Sequence, residues 1–149
     1  MNTATLITSF SAETLLGGRK VLSAKPRTAQ DWVALIRKGI SPAAVDALVS
    51  AMRVTQAELA TALDIPARTL ARRKQEGVLN REESAKLVRL AQVAERAEEV
   101  FQDVDASLDW LKSPNAALGG ATPLSLLDTG IGADSVMDAL GRIEHGVFA

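Results

Sequence analysis

Between Pro66 and Gln75 the sequence reads PARTLARRKQ, with Arg68, Arg72, Arg73 and Lys74 and no acidic residue among them. Long cations gathered on one short segment suit one chemistry above others. They neutralise phosphates, and arginine can place two parallel hydrogen bonds on a base edge in the major groove. Thr69 and Arg72 lie one helical turn apart and share a plausible reading face. Gln56 opens the preceding helix, where its amide and the free N–H groups of the helix start can hold a phosphate. The expected DNA-contacting set is Gln56, Arg68, Thr69, Arg72, Arg73 and Lys74.

Other chemistries find little support. There is no cysteine and the single histidine is His145, which excludes disulfides, thiolate metal sites and multi-histidine sites. No serine stands in a nucleophile elbow. The stretch LGGAT has Gly119 and Gly120 but lacks the Gly-Lys-Ser/Thr of a phosphate-binding loop, so it reads as a tight turn. Asp103, Asp105 and Asp109 lack the glycine and terminal glutamate of a calcium loop and read as a solvated helix start. We therefore expect no catalytic residue, no bound metal and no cofactor; the chain is not read as an enzyme.

The elements that must position the cations are helical. TQAELATALDIPARTLARRK has the spacing of a helix-turn-helix, with Leu59, Leu63, Ile65 and Leu70 as apolar contacts and Ala60 where the helices approach closely. Thr55 and Glu58 form a capping box at its start, and Gly77 ends its second helix. Asp64 stands where the turn usually has glycine, and Arg73 where many such motifs bury an aliphatic residue. Upstream, a helix from Ala29 to Lys38 ends at Gly39, and Ser41 with Pro42 caps the next. Residues 1–28 read as a mobile or partly ordered arm with a short helix near Ala12–Leu16.

Downstream, Asn80 and Glu83 open a long helix whose stripe is Leu87, Leu90, Ala91, Ala94, Ala97, Phe101 and Val104. A helix carrying Leu108, Trp110 and Leu111 stops at Pro114; a short one runs from Thr122 to near Gly130; the last spans Asp134–Ile143. The fold class is all-α or nearly so. A composition shift near 97–105 suggests two subdomains joined through the long helix.

Charge is divided along the chain. Residues 1–96 carry 15 Lys+Arg against 9 Asp+Glu, whereas residues 97–149 carry 2 against 9, and the whole has a formal net charge of −1. A basic front and an acidic back imply different partners for the two halves. Hydrophobic residues make up 47%, enough to bury a core. No apolar run reaches membrane-span length and Met1–Phe10 has no signal-peptide pattern, so a cytoplasmic protein without a membrane partner is expected.

Together, RKGISPAAVDALVSAM, TQAELATALDIPARTLARRKQEGVLNREES and WLKSPNAALGGATPLSLLDTGIGADSVMDALGRIEHGVFA resemble the Xre/MbcA/ParS antitoxins over roughly residues 30–149. The specific part is the combination Trp110-Leu111, Pro114-Asn115, Leu118-Gly119-Gly120, Pro123-Leu124, Leu127, Thr129, Gly132, Val136, Leu140 and the closing RIEHG. Beyond the arm read over 1–28, the resemblance implies a helix-turn-helix domain over 29–100 that binds operator DNA and a toxin-binding domain over 101–149. It further implies a homodimer, repression of its own operon, and a RES-domain toxin that depletes NAD and whose pocket the antitoxin closes. Recognition residues collect on loops of a rigid scaffold, and an acidic surface suits a cationic NAD pocket. The expected toxin-binding set is Pro114, Asn115, Gly119, Gly120, Arg142, Glu144, His145 and Phe148, with Glu144 on a toxin arginine and His145 or Phe148 in the space NAD needs. The alternative is a stand-alone regulator whose second half dimerises or senses a ligand.

Overall fold

The computed structural model describes residues 10–146. Among them the regular structure is helical throughout: α1 (Ala12–Leu15), α2 (Ala29–Lys38), α3 (Ala43–Met52), α4 (Gln56–Leu63), α5 (Ala67–Glu76), α6 (Arg81–Phe101), α7 (Val104–Lys112) and α8 (Gly130–Glu144). Short 3₁₀ turns occupy Gly18–Lys20, Ala116–Leu118 and Leu124–Leu126.

Side chains near every helix start except that of α5, which follows Pro66, satisfy N–H groups that have no partner within the helix. Thr28 with Asp31, Thr55 with Glu58 and Asn80 with Glu83 form reciprocal capping boxes at α2, α4 and α6. The Ser41 hydroxyl accepts from the Ala43 amide at 3.2 Å, and α3 begins one residue later than expected, after a Pro42 whose torsions are already helical.

Further boundaries differ from expectation. The long helix stops at Phe101, because Gln102 takes a left-handed conformation (φ 55°) and Asp103 caps α7 by accepting from Ala106 N–H at 3.2 Å. Val104 therefore opens α7 instead of closing the stripe of α6. The segment from Thr122 to Gly130 contains only the 3₁₀ turn Leu124–Leu126, and Gly130 starts α8 instead of ending a helix. Thr129 explains this, since its hydroxyl accepts from Gly132 N–H at 3.0 Å and caps α8, which therefore starts four residues before Asp134.

A single apolar cluster runs from Ala12 to Leu140 with α6 at its centre. Leu87, Leu90, Ala91, Ala94 and Ala97 on α6 are fully buried, and α1, α2, α3, α7 and α8 all pack against that helix. Each fully buried leucine contributes about 1.5–3 kcal/mol relative to exposure. The composition shift near 97–105 thus does not mark two separate cores. The described part of the expected arm also joins the cluster: Ala12, Leu15, Leu16 and Leu22 are buried, and Ala12 N–H donates to Glu95 on α6 at 3.2 Å.

Candidate functional site

The first candidate surface is built on α4 and α5. Leu59, Leu63, Ile65 and Leu70 are buried and hold the two short helices together, with Ala60 also inside. Asp64 carries the turn in a left-handed conformation (φ 53°), which aspartate tolerates better than most residues. The Ile65 amide then reaches back to the Ala60 carbonyl at 2.9 Å, closing the turn without glycine.

The cations on α5 divide into two groups. Arg68 and Arg72 are exposed; Arg68 has no acidic partner among the described residues, and Arg72 lies 3.5 Å from Glu76 across one helical turn. Thr69 beside them is half-buried. Lys74 is engaged, donating to Gln56 at 2.7 Å and Asp46 at 3.2 Å, so it links α5 to the starts of α4 and α3.

Arg73 departs from the expected set. Its guanidinium turns inward, with Nε and Nη2 on the two oxygens of Glu83 at 2.8 and 3.1 Å and Nη1 on Glu76 at 2.9 Å. At the position where an aliphatic side chain would pack, a bidentate ion pair fastens α5 to the first turn of α6. Burial acts to raise the Glu83 carboxyl, but the bonds from Arg73 and the Asn80 amide outweigh it and hold the group below the usual carboxylate range. Glu83 and Glu76 in turn raise Arg73 further above its ordinary value. Glu83, read from sequence only as a cap, also positions α5.

The second candidate surface lies on α8 and the turns before it. Asn115 knots the loop, its side chain accepting from Ala117 N–H at 2.8 Å and its carbonyl from Gly120 N–H at 2.9 Å. Gly119 (φ 69°) and Gly120 (φ 86°) are exposed and take conformations natural to glycine, and Pro114 is exposed beside them. Gly119 and Arg142 come together across a cleft of about 360 Å³ lined also by Leu118, Leu126, Ser135 and Asp138.

The end of α8 is held to α6. Arg96 makes a two-pronged pair with Glu144, one bond at 3.0 Å and a second between Arg96 Nη2 and Glu144 Oε1. Arg96 lowers the Glu144 carboxyl below its ordinary value. Glu144, expected to reach a toxin arginine, therefore already has an arginine of its own. His145 is exposed with Nε2 4.0 Å from Glu144, and Phe148 lies outside the described residues. Sequence reasoning missed Ile131, which is 83% exposed on α8. With Ser135, Asp138 and Arg142 it forms one face at helical spacing, a period visible only once α8 is started at Gly130. Trp110 is half-buried against the core and meets Phe101 at 5.9 Å between ring centroids.

The two surfaces coincide with two family descriptions. Residues 31–92 match the antitoxin Xre-like helix-turn-helix domain, and residues 96–146 match the antitoxin Xre/MbcA/ParS C-terminal toxin-binding domain. The chain is 36% identical over 116 residues to "Antitoxin Xre" of Yersinia enterocolitica, covering 76% of this chain and 78% of the relative. It is 33% identical over 118 residues to "Antitoxin Xre" of Photorhabdus laumondii (78% and 80% covered). It is also 30% identical over 129 residues to "Prs ADP-ribosylating antitoxin" of a Sphingobium species (80% and 81% covered). Fold and surfaces define the class: a helix-turn-helix protein with an attached toxin-binding domain, an antitoxin and not an enzyme. The chain belongs to the Xre family of antitoxins.

Proposed function

We propose that this antitoxin neutralises a RES-type, NAD-depleting toxin by covering its active site, and that as a cytoplasmic homodimer it represses its own operon through α4 and α5. Residues 29–100 serve DNA and residues 101–149 serve the toxin. The observation that carries the reading is the coincidence of the toxin-binding match over 96–146 with a glycine-turned, acidic surface free of catalytic groups. The name of the Sphingobium relative adds support, because ADP-ribosyl transfer consumes NAD, the molecule a RES toxin destroys. Arg68 and Arg72, exposed on α5, are the base- and phosphate-contacting candidates, with Thr69 beside them. Gln56 and Lys74 brace the helix starts against each other and meet the backbone as a pair.

On the toxin side, Ile131, Asp138 and Arg142 with the Gly119-Gly120 turn form the docking face, with the tail, residues 142–149, at the mouth of the pocket. The test is co-expression with the toxin encoded in the neighbouring frame, reading cellular NAD and co-purification. Truncation after Gly146 keeps the Arg96–Glu144 pair but removes Phe148; it is expected to abolish NAD protection while leaving the melting temperature unchanged. Arg72→Ala is expected to weaken operator binding with NAD protection intact. Full protection by the truncated chain would overturn the tail's role, and a neighbouring toxin that leaves NAD untouched would overturn the RES reading.

A further inference from the structure

A second group of cations lies close to the end of the recognition helix. Val21, Leu22 and Ser23 share a cleft of about 230 Å³ with Lys38, Gly39, Ile40 and Ser41 and with Gly77 and Val78, the residues that follow α5. No carboxylate lines it. Arg19 and Lys20 sit on the 3₁₀ turn that leads into Val21, and both are exposed, as is Lys38 in the last turn of α2. None of the three has an acidic partner among the described residues. The one acid between residues 19 and 38, Asp31, is occupied in accepting the Arg27 and Thr28 amides at 2.8 and 3.1 Å.

The arrangement is rigidly held. Leu22 is buried in the core, and Leu79 N–H donates to the Ile40 carbonyl at 2.9 Å. Gly39 (φ 96°) lies so close to the 78–79 backbone that a Cβ there would fall 2.6 Å from the Leu79 carbonyl oxygen. The end of α2 and the exit of the recognition helix are thus one fixed unit, and the segment from residue 18 to 23 is seated on it.

We infer that Arg19, Lys20 and Lys38 grip the phosphates of the duplex strand that flanks the groove read by α5. This rests on the DNA-binding role proposed above. A helix in the major groove has a phosphate backbone on either side, so cations fixed just beyond its end meet the flanking strand. The contact carries no base information; it adds affinity and fixes the orientation of the reading helix.

The experiment is salt-dependent binding of the full chain to a duplex of its own promoter region and to a scrambled duplex. The variants are Arg19→Gln/Lys20→Gln/Lys38→Gln, the charge-conserving Arg19→Lys/Lys20→Arg/Lys38→Arg, and Arg68→Ala/Arg72→Ala. The glutamine triple is expected to lose about 10- to 100-fold on both duplexes at low salt, with the log–log salt slope falling by about 2–3. The charge-conserving triple is expected to retain both, which separates charge from folding. An unchanged slope in the glutamine triple, with promoter preference lost only in Arg68→Ala/Arg72→Ala, would overturn the inference and leave the DNA-binding role standing. Failure of the unsubstituted chain to bind either duplex would overturn both.

Discussion

Gly132 shows how one residue sets an element. Its torsions are ordinary for a helix, but a Cβ built there would fall 1.9 Å from the Leu126 carbonyl oxygen. Only hydrogen lets the first turn of α8 rest on the 3₁₀ turn before it. Gly132→Ala is expected to destabilise by about 1–3 kcal/mol, because backbone and not a flexible side chain must move. The loss should appear in urea unfolding and, if the cleft lined by Leu126 and Arg142 docks the toxin as proposed, more sharply as weaker toxin binding. An alanine variant of unchanged stability would mean that α8 tilts freely. Arg73 makes a related point. From sequence it joins the other cations of PARTLARRKQ; only Glu83, ten residues on, turns it inward.

At the scale of elements, the orientation of α5 depends on that ion pair. Glu83 has a folded-state carboxyl held below its ordinary value of 4.5. A depressed carboxylate contributes stability that is fully present above the unfolded value and lost as pH falls through the folded one. The gap in unfolding midpoint between the wild type and Glu83→Gln should therefore be constant at pH values well above 4.5 and close progressively as pH falls below it. A gap unchanged across that range would show that the charge is not what secures α5. The short helices themselves were largely legible, because caps and end signals are local: Thr55, Gly77 and Asn80 act on neighbours within a turn. The start of α8 was not, because two glycines at Gly130 and Gly132 read as breakers until the Thr129 cap and the Leu126 contact are in place.

At the scale of the whole molecule, the charge division along the chain and the single core pull in different directions. The surfaces differ in charge and partner, yet α6 is shared by both halves, with α2 packed on it from one side of the sequence and α7 and α8 from the other. Trp32 on α2 and Trp110 on α7 report on the two halves. Single-tryptophan variants, Trp110→Phe and Trp32→Phe, are expected to give coincident thermal transitions by fluorescence. Transitions separated by several degrees would mean that the halves fold as independent units.

The sequence by itself determined the helical class, the helix-turn-helix, its caps and the position of the basic and acidic faces, since each depends on spacing within a turn or two. Tertiary structure decided which cations pair with other helices. Arg68 and Arg72 remain in solvent while Arg73, Lys74 and Arg96 find partners on other helices, and pairing across 10, 28 or 48 residues has no local signature. The same reason explains the segment after Phe10: its apolar residues show no sustained period, and only the groove offered by α3 and α6 gives them a place to be buried.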